Sequence, residues 1–427
     1  MTVTNHTRLT LIVISVFFLR FAPFYYIGVQ STLLTTHVLS IGILLLLVGD
    51  ILLQFLKKNV IPVAFGLEEK LIILFFLSQS LSIIEVTDLS IYLNRYSKIV
   101  IGLVLYIVIK YSLKIVSIQK LRILIINTLL YGSFITIFFQ FLLFLYPSFI
   151  LKLSDGILLN NLHEIITANI DISNKLHDNS YVEIIVPLLI YKFFSGEKNF
   201  IKKILPLIMV LLLGFVSFAS NFRYRILSYL VSLGSAQYFI GHKKKQVVSS
   251  LLLLLSIGVV LLSANSFLRD TFNFTVIDRF LLEEEGRDYS PIQWRLEMYR
   301  ESIFMAQSHI TGVGLGGFFN ALPENQIKLT TLYGGREKIA LGALTSGPHN
   351  IFFQYLGETG IIGLILFVIL MLFWTLKDFK VMMSNKKNML EKKALTISFW
   401  TLMIIVQFFP AINLSFYTLF FLLRSLL

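Results

Sequence analysis

Cysteine is absent from this 427-residue chain, which excludes a disulfide framework, a thiolate metal site and a cysteine nucleophile together. Charge is scarce too. Asp, Glu, Lys and Arg make up 14% of the residues, against about 25% in soluble domains, so a soluble multidomain enzyme is excluded. The seven histidines are scattered, with no His-x-x-x-His or His-Glu-x-x-His pair to suggest a metal on a helix face. Internal repeats are missing, as are the short alternating segments of a transmembrane β-barrel. What is present in excess is apolar surface: 56% hydrophobic residues, including 39 Phe and 18 Tyr, far too much for a disordered chain. Length alone would suggest two or three soluble domains; composition replaces that reading with an all-α polytopic membrane protein.

Apolar stretches near the ~20 residues needed to cross ~30 Å of hydrocarbon recur from end to end. They predict about 12 transmembrane helices: five within residues 1–146, four within 181–264 and three within 350–427. Two longer connections separate these groups, 147–180 and 265–349. The second is large enough to fold outside the bilayer, and Ile292, Leu296, Tyr299 and Ile303 predict an amphipathic helix over Pro291–Gln307. The formal net charge of +13 would hint at nucleic acid in a soluble protein. With the amino terminus placed inside, however, 22 cations fall on the cytoplasmic side and 14 on the other, 8 of those in the one long loop. That is the positive-inside pattern; it assigns the charge to orientation and calls for no nucleic-acid partner. Both termini are then cytoplasmic, and the first apolar run reads as an anchor, not a removable signal peptide. Of the 22 inner cations 19 are lysines, whereas 9 of the 14 outer ones are arginines. The guanidinium fork suits phosphate and carboxylate recognition, so the outer face reads as built to hold an anion.

Four groups of residues could carry chemistry there. Arg223 and Arg225 crowd a minimal outer turn, Ser220–Arg225, where charge close to the membrane interior is expensive and usually functional; snorkelling anchors are the alternative. Arg295 lies on the amphipathic helix, with Arg300 as a second candidate and Glu297 and Glu301 as local ion-pair partners. Gly312–Gly317, which includes Gly314 and Gly316, follows a helix, lacks the Lys-Ser/Thr of a phosphate-binding loop, and reads as a turn that lets backbone approach backbone or ligand. Finally Pro348, His349 and Asn350 open a span that carries Glu358 deeper in. Either His349 or Asn350 caps that helix, and His349 could accept a proton near neutral pH. Glu358, roughly 13 Å along the helix at ~1.5 Å per residue, is too deep to share that proton directly, and an intramembrane carboxylate requires a partner.

The order of Ser-Asn-Phe-Arg at 220–223, Trp-Arg at 294–295, Gly-Val-Gly-Leu-Gly-Gly-Phe at 312–318, Pro-His-Asn at 348–350 and Gly-Glu-Thr-Gly-Ile-Ile-Gly at 357–363 resembles the bacterial O-antigen ligase and O-antigen polymerase family. The resemblance covers roughly residues 205–370, while the amino-terminal half is similar only in hydropathy. It implies a multi-spanning inner-membrane glycosyltransferase with a periplasmic active site and a glycan donor on undecaprenyl pyrophosphate, needing no cofactor, nucleotide sugar or metal. It further implies that Arg223 and Arg295 bind the pyrophosphate and that His349 is catalytic. Asn350, Glu358, Gly314 and Gly316 support them. Phe222 departs from the small hydroxyl residue more usual there, and Arg225 is an extra cation, so the choice between Arg223 and Arg225 stays open. Within the family the expected activity is polymerisation of lipid-linked repeat units, in company with a repeat-unit flippase and a chain-length regulator. The alternatives are a ligase acting on lipid A–core and, outside the family, a transporter or a non-catalytic scaffold.

Overall fold

The computed structural model describes residues 4–20, 30–58, 66–115, 118–145, 181–195, 200–219, 223–240, 291–318, 320–322, 348–386, 389–408 and 414–427. The ninth expected span, 247–264, the connection 147–180 and most of 265–349 lie outside them. Among the described residues the chain is helical throughout: α1 (Asn5–Arg20), α2 (Gln30–Lys58), α3 (Leu67–Leu81), α4 (Leu89–Ile115), α5 (Ile118–Leu145), α6 (Val186–Phe194), α7 (Phe200–Ala219), α8 (Arg223–Ile240), α9 (Pro291–Ser308), α10 (Ile351–Met382), α11 (Leu390–Ile405) and α12 (Leu414–Leu426). Short 3₁₀ turns extend α3 (Ser82–Glu85) and precede α6 (Val182–Ile185).

Four helices, α2, α4, α5 and α10, are long and apolar enough to cross a membrane, and α1, α7 and α12 contribute shorter apolar helices. On α10 the residues Ile361, Ile365, Ile369, Leu372 and Leu376 form one exposed stripe at helical spacing, which in water would be an aggregation hazard and in lipid is ordinary. The span expected at Tyr181–Phe194 is enclosed by protein. Its nine-residue helix rises only about 14 Å, Pro187 sits at its start, and residues 181–190 are buried throughout. It is an internal element wrapped by α7, α8 and α11.

The rest of the bundle packs by close backbone approach. A Cβ at Gly102 would lie 2.9 Å from the Tyr417 carbonyl oxygen, so α4 and α12 meet at a distance only glycine permits. The far end of the bundle is latched by charge. Lys377 reaches Glu68 at 2.6 Å, Arg424 reaches Asp378 at 2.7 Å, Trp400 donates to Asp378 at 2.9 Å, and Arg8 pairs with Asp50. Arg424 also lies over the Trp374 ring at 4.5 Å. The start of α10 is at the opposite end.

Candidate functional site

The site begins at the start of α10. Asn350 is its N-cap: extended at φ −153°, it accepts the N–H groups of Phe352 at 3.0 Å and Phe353 at 3.4 Å. That frees His349 from capping. His349 stands in the left-handed region at φ 53°, the one non-glycine residue to do so among those described. Its ring donates to the backbone carbonyl of Phe408, just beyond α11, which fixes the tautomer and leaves the other nitrogen as the acceptor. Burial and then the Arg295 guanidinium push its pKa down to about 4, against the opposing pull of the Phe408 carbonyl. At neutral pH the imidazole is therefore uncharged and can accept a proton.

Arg295 is brought there by α9, which runs parallel to the first turns of α10 in a definite register. Tyr299 stacks on Phe353 with centroids 4.1 Å apart and planes 9° from parallel, Met305 reaches Gly357, and the Arg295 guanidinium lies near enough to lower the His349 pKa. The buried face of α9 is not the one its apolar spacing predicts. Met298, Glu301, Ser302 and Met305 are buried, while Leu296 and Ile303 are 58% and 43% exposed. In a membrane protein apolar side chains face lipid as readily as protein, so hydrophobicity alone does not mark the inner face.

After α9 the glycine loop folds back onto α10. The N–H of Val313 donates to the Gly357 carbonyl and that of Gly314 to the Glu358 carbonyl, both at 3.0 Å. Gly312, Gly314 and Gly316 all have positive φ, and so does Gly360, where α10 is kinked (φ 66°, ψ −169°). A Cβ at Gly360 would stand 1.9 Å from the Ile310 carbonyl oxygen. Gly312 thus makes room for the backbone of α10, and Gly314 and Gly316 for the side chains of Val86, Ile91 and Arg95. The Glu358 side chain, 3% exposed, receives Gln354 Nε2 at 3.1 Å and the Gly316 N–H, with the Arg95 guanidinium facing it from α4. Arg95 also runs across Gly316, and His309 pairs with Glu85 at 3.4 Å on the neighbouring 3₁₀ turn.

The two arginines of the 220–225 segment separate. Both fall within the first turn of α8, which begins at Arg223. Arg225 is fully buried with its Nε 2.6 Å from Glu183, a carboxylate that also accepts from Ser217 at 3.0 Å. Its guanidinium is engaged with Glu183 inside the bundle. The side chain of Arg223 lies outside the described residues. Among the described residues no three potential metal ligands converge.

Sequence reasoning missed Glu183, Arg95 and the Phe408 carbonyl. A signal existed for the first: Glu183 interrupts an apolar run, and a carboxylate there demands a cation. Arg95 and Phe408 have none, because they meet the site only through folding.

The lipid-facing stripe, the membrane-length helices and the absence of strands among the described residues define an integral membrane protein of all-α class. Residues 208–368 match the family model described as O-antigen ligase, and this match supports the O-antigen ligase and polymerase family. The matched stretch runs from α7 into α10 and contains Arg223, Arg295, the glycine loop, His349 and Glu358. No curated protein and no solved structure matches the chain.

Proposed function

We propose that the protein is a glycosyltransferase that joins oligosaccharide repeat units carried on undecaprenyl pyrophosphate, at the extracytoplasmic face of a bacterial inner membrane. The observation that carries this reading is the setting of His349 inside the matched stretch: a buried imidazole at the head of a membrane helix, its ring on the Phe408 carbonyl, with the Arg295 guanidinium near enough to lower its pKa. Transfer from a lipid pyrophosphate needs a base for the acceptor hydroxyl and cations for the leaving group. His349 takes the hydroxyl proton as that oxygen bonds to the anomeric carbon. The bond from that carbon to the pyrophosphate oxygen breaks, its electron pair leaves with the lipid pyrophosphate, and Arg223 and Arg295 hold the developing charge. Attack opposite the leaving group inverts the anomeric centre. Arg225 is left out of the anion site because Glu183 already occupies it.

A second reading is transfer of the lipid-linked glycan to lipid A–core, favoured by the description of the matching family model. Purified protein given only the lipid-linked donor should yield a ladder of longer lipid-linked chains. Product that forms only when lipid A–core is added would replace polymerase with ligase. No product with either acceptor would remove the enzyme reading in favour of a transporter or scaffold.

A further inference from the structure

Glu358 is a buried carboxyl about two helical turns beyond His349, and the transfer chemistry leaves it without a role. Its surroundings suggest one. The kink at Gly360 interrupts α10 just where the Gly357 and Glu358 carbonyls receive the loop's N–H groups. The Glu358 carboxylate receives a third N–H of the same loop, from Gly316. One residue therefore grips the 312–317 loop through both its backbone and its side chain, with the Arg95 guanidinium acting on it from α4. Phe318, which follows the loop, lies against Gly357, where a Cβ would be 2.7 Å from its ring. This grip closes the parallel register of α9 on α10, in which Tyr299 stacks on Phe353 and the Arg295 guanidinium is near enough to act on His349. A slide of α9 by one residue would carry Arg295 ~1.5 Å along the axis and rotate it by about 100°, away from His349.

We propose that Glu358, supported by Arg95, is a positioning residue that straps the glycine loop to α10 and thereby holds Arg295 in register with His349. The inference rests on the glycosyl-transfer reading for its kinetic consequence, but its structural content can be tested apart from activity. Because the chain has no cysteine, the pair Tyr299→Cys and Phe353→Cys reports register directly by oxidative cross-linking in the full-length protein. Adding Glu358→Gln, which keeps the size and an acceptor oxygen but loses the charge, should slow that cross-link by about threefold or more if the register slips by a fraction of a turn. In the cysteine-free protein, with a lipid-pyrophosphate glycan donor, Glu358→Gln should lower kcat by about 10–100-fold, as expected for misplacement on the order of 1 Å, with the donor KM little changed. Combined with Arg295→Lys, its effect should be less than multiplicative, because both variants damage the same contact.

An unchanged cross-linking rate would sink the strap whether or not the enzyme is active. Wild-type kcat in Glu358→Gln, or a loss fully explained by less folded protein, would reject the positioning role. So would a loss that multiplies with that of Arg295→Lys. A wild-type protein inactive with every acceptor, yet with cross-linking that depends on Glu358, would remove the transferase reading and leave the strap standing.

Discussion

At residue scale His349 combines three properties that seldom coincide: a left-handed backbone, a ring fixed by the Phe408 carbonyl, and a pKa pushed down to about 4 by burial and Arg295. A non-glycine residue held at positive φ costs on the order of 1 kcal/mol or more, and Asn tolerates that conformation well. His349→Asn should therefore keep the fold and lower kcat by about 10²–10⁴; an active, folded variant would leave the mechanism without a base. The base is usable only above its pKa. The acid limb of kcat/KM, which reports the free enzyme, should fall near pH 4 and not at the ordinary ~6.5. A bound pyrophosphate beside the ring would raise that value, so the limb of kcat should lie higher. Coincident limbs would argue against an anion next to His349. Folding lowers this pKa, so the unfolded chain binds the extra proton first and the group's share of stability is lost as pH falls from ~6.5 towards 4. Arg223→Lys and Arg295→Lys keep charge but lose the fork; both should impair glycan formation at unchanged protein level. Arg225→Met belongs to a different class. It strands the buried Glu183 carboxylate, so folded protein should drop by the equivalent of about 3–5 kcal/mol, and Glu183→Gln in the same chain should recover part of it.

Among the elements, α9, the glycine loop and the head of α10 act as one unit whose joints are glycines. Gly360→Ala places a methyl against the Ile310 backbone oxygen at a φ of 66°, and backbone cannot swing aside as a side chain can. Its thermal midpoint in detergent should fall, with a cost of at least about 1–3 kcal/mol from the strained φ alone, and the Tyr299→Cys/Phe353→Cys cross-link should weaken with it. Gly102→Ala, on the α4–α12 contact, should lower the midpoint too but leave that cross-link intact. How much of these elements is legible in sequence differs by kind. The α9 helix, Pro291–Ser308, is readable as Pro291–Gln307 from the helical spacing of its apolar residues. Its inner face is not, since Leu296 and Ile303 look like core yet are exposed. That α6 is enclosed by protein is not legible either, because burial by protein and burial by lipid look alike in a hydropathy pattern.

At the scale of the whole molecule, these charged groups among the described residues sort to the two ends. Lys377–Glu68, Arg424–Asp378 and Arg8–Asp50 gather at one, while Arg225–Glu183, Arg95, Arg295 and His349 gather at the other. The proposed orientation puts the first set in the cytoplasm. Reporter fusions at Lys58, Lys244 and Lys387 should give a cytoplasmic signal and one near Gly335 an extracytoplasmic one. A cytoplasmic signal at Gly335 would face the arginines toward the wrong compartment. The α10 helix separates the latch from His349 by roughly 40 Å at ~1.5 Å per residue. Arg424→Met should therefore destabilise the protein by about 3–5 kcal/mol, through the stranded Asp378, without changing activity per folded molecule.

The sequence by itself determined the membrane class, the main helices and the glycine-rich loop and kink at the head of α10, because lipid demands long apolar runs and a kinked, glycine-rich contact demands its glycines locally. Only the tertiary structure decided which arginine is committed to Glu183, which face of α9 is buried, and that Phe408 and Arg95 reach His349 and Glu358. Those are pairings between residues distant in sequence, and an ion pair or a hydrogen bond to a backbone carbonyl leaves no pattern in either partner's neighbours. The low pKa of His349 belongs to the same category: a histidine's reference value is written in its side chain, but its shift is set by what the fold packs around it.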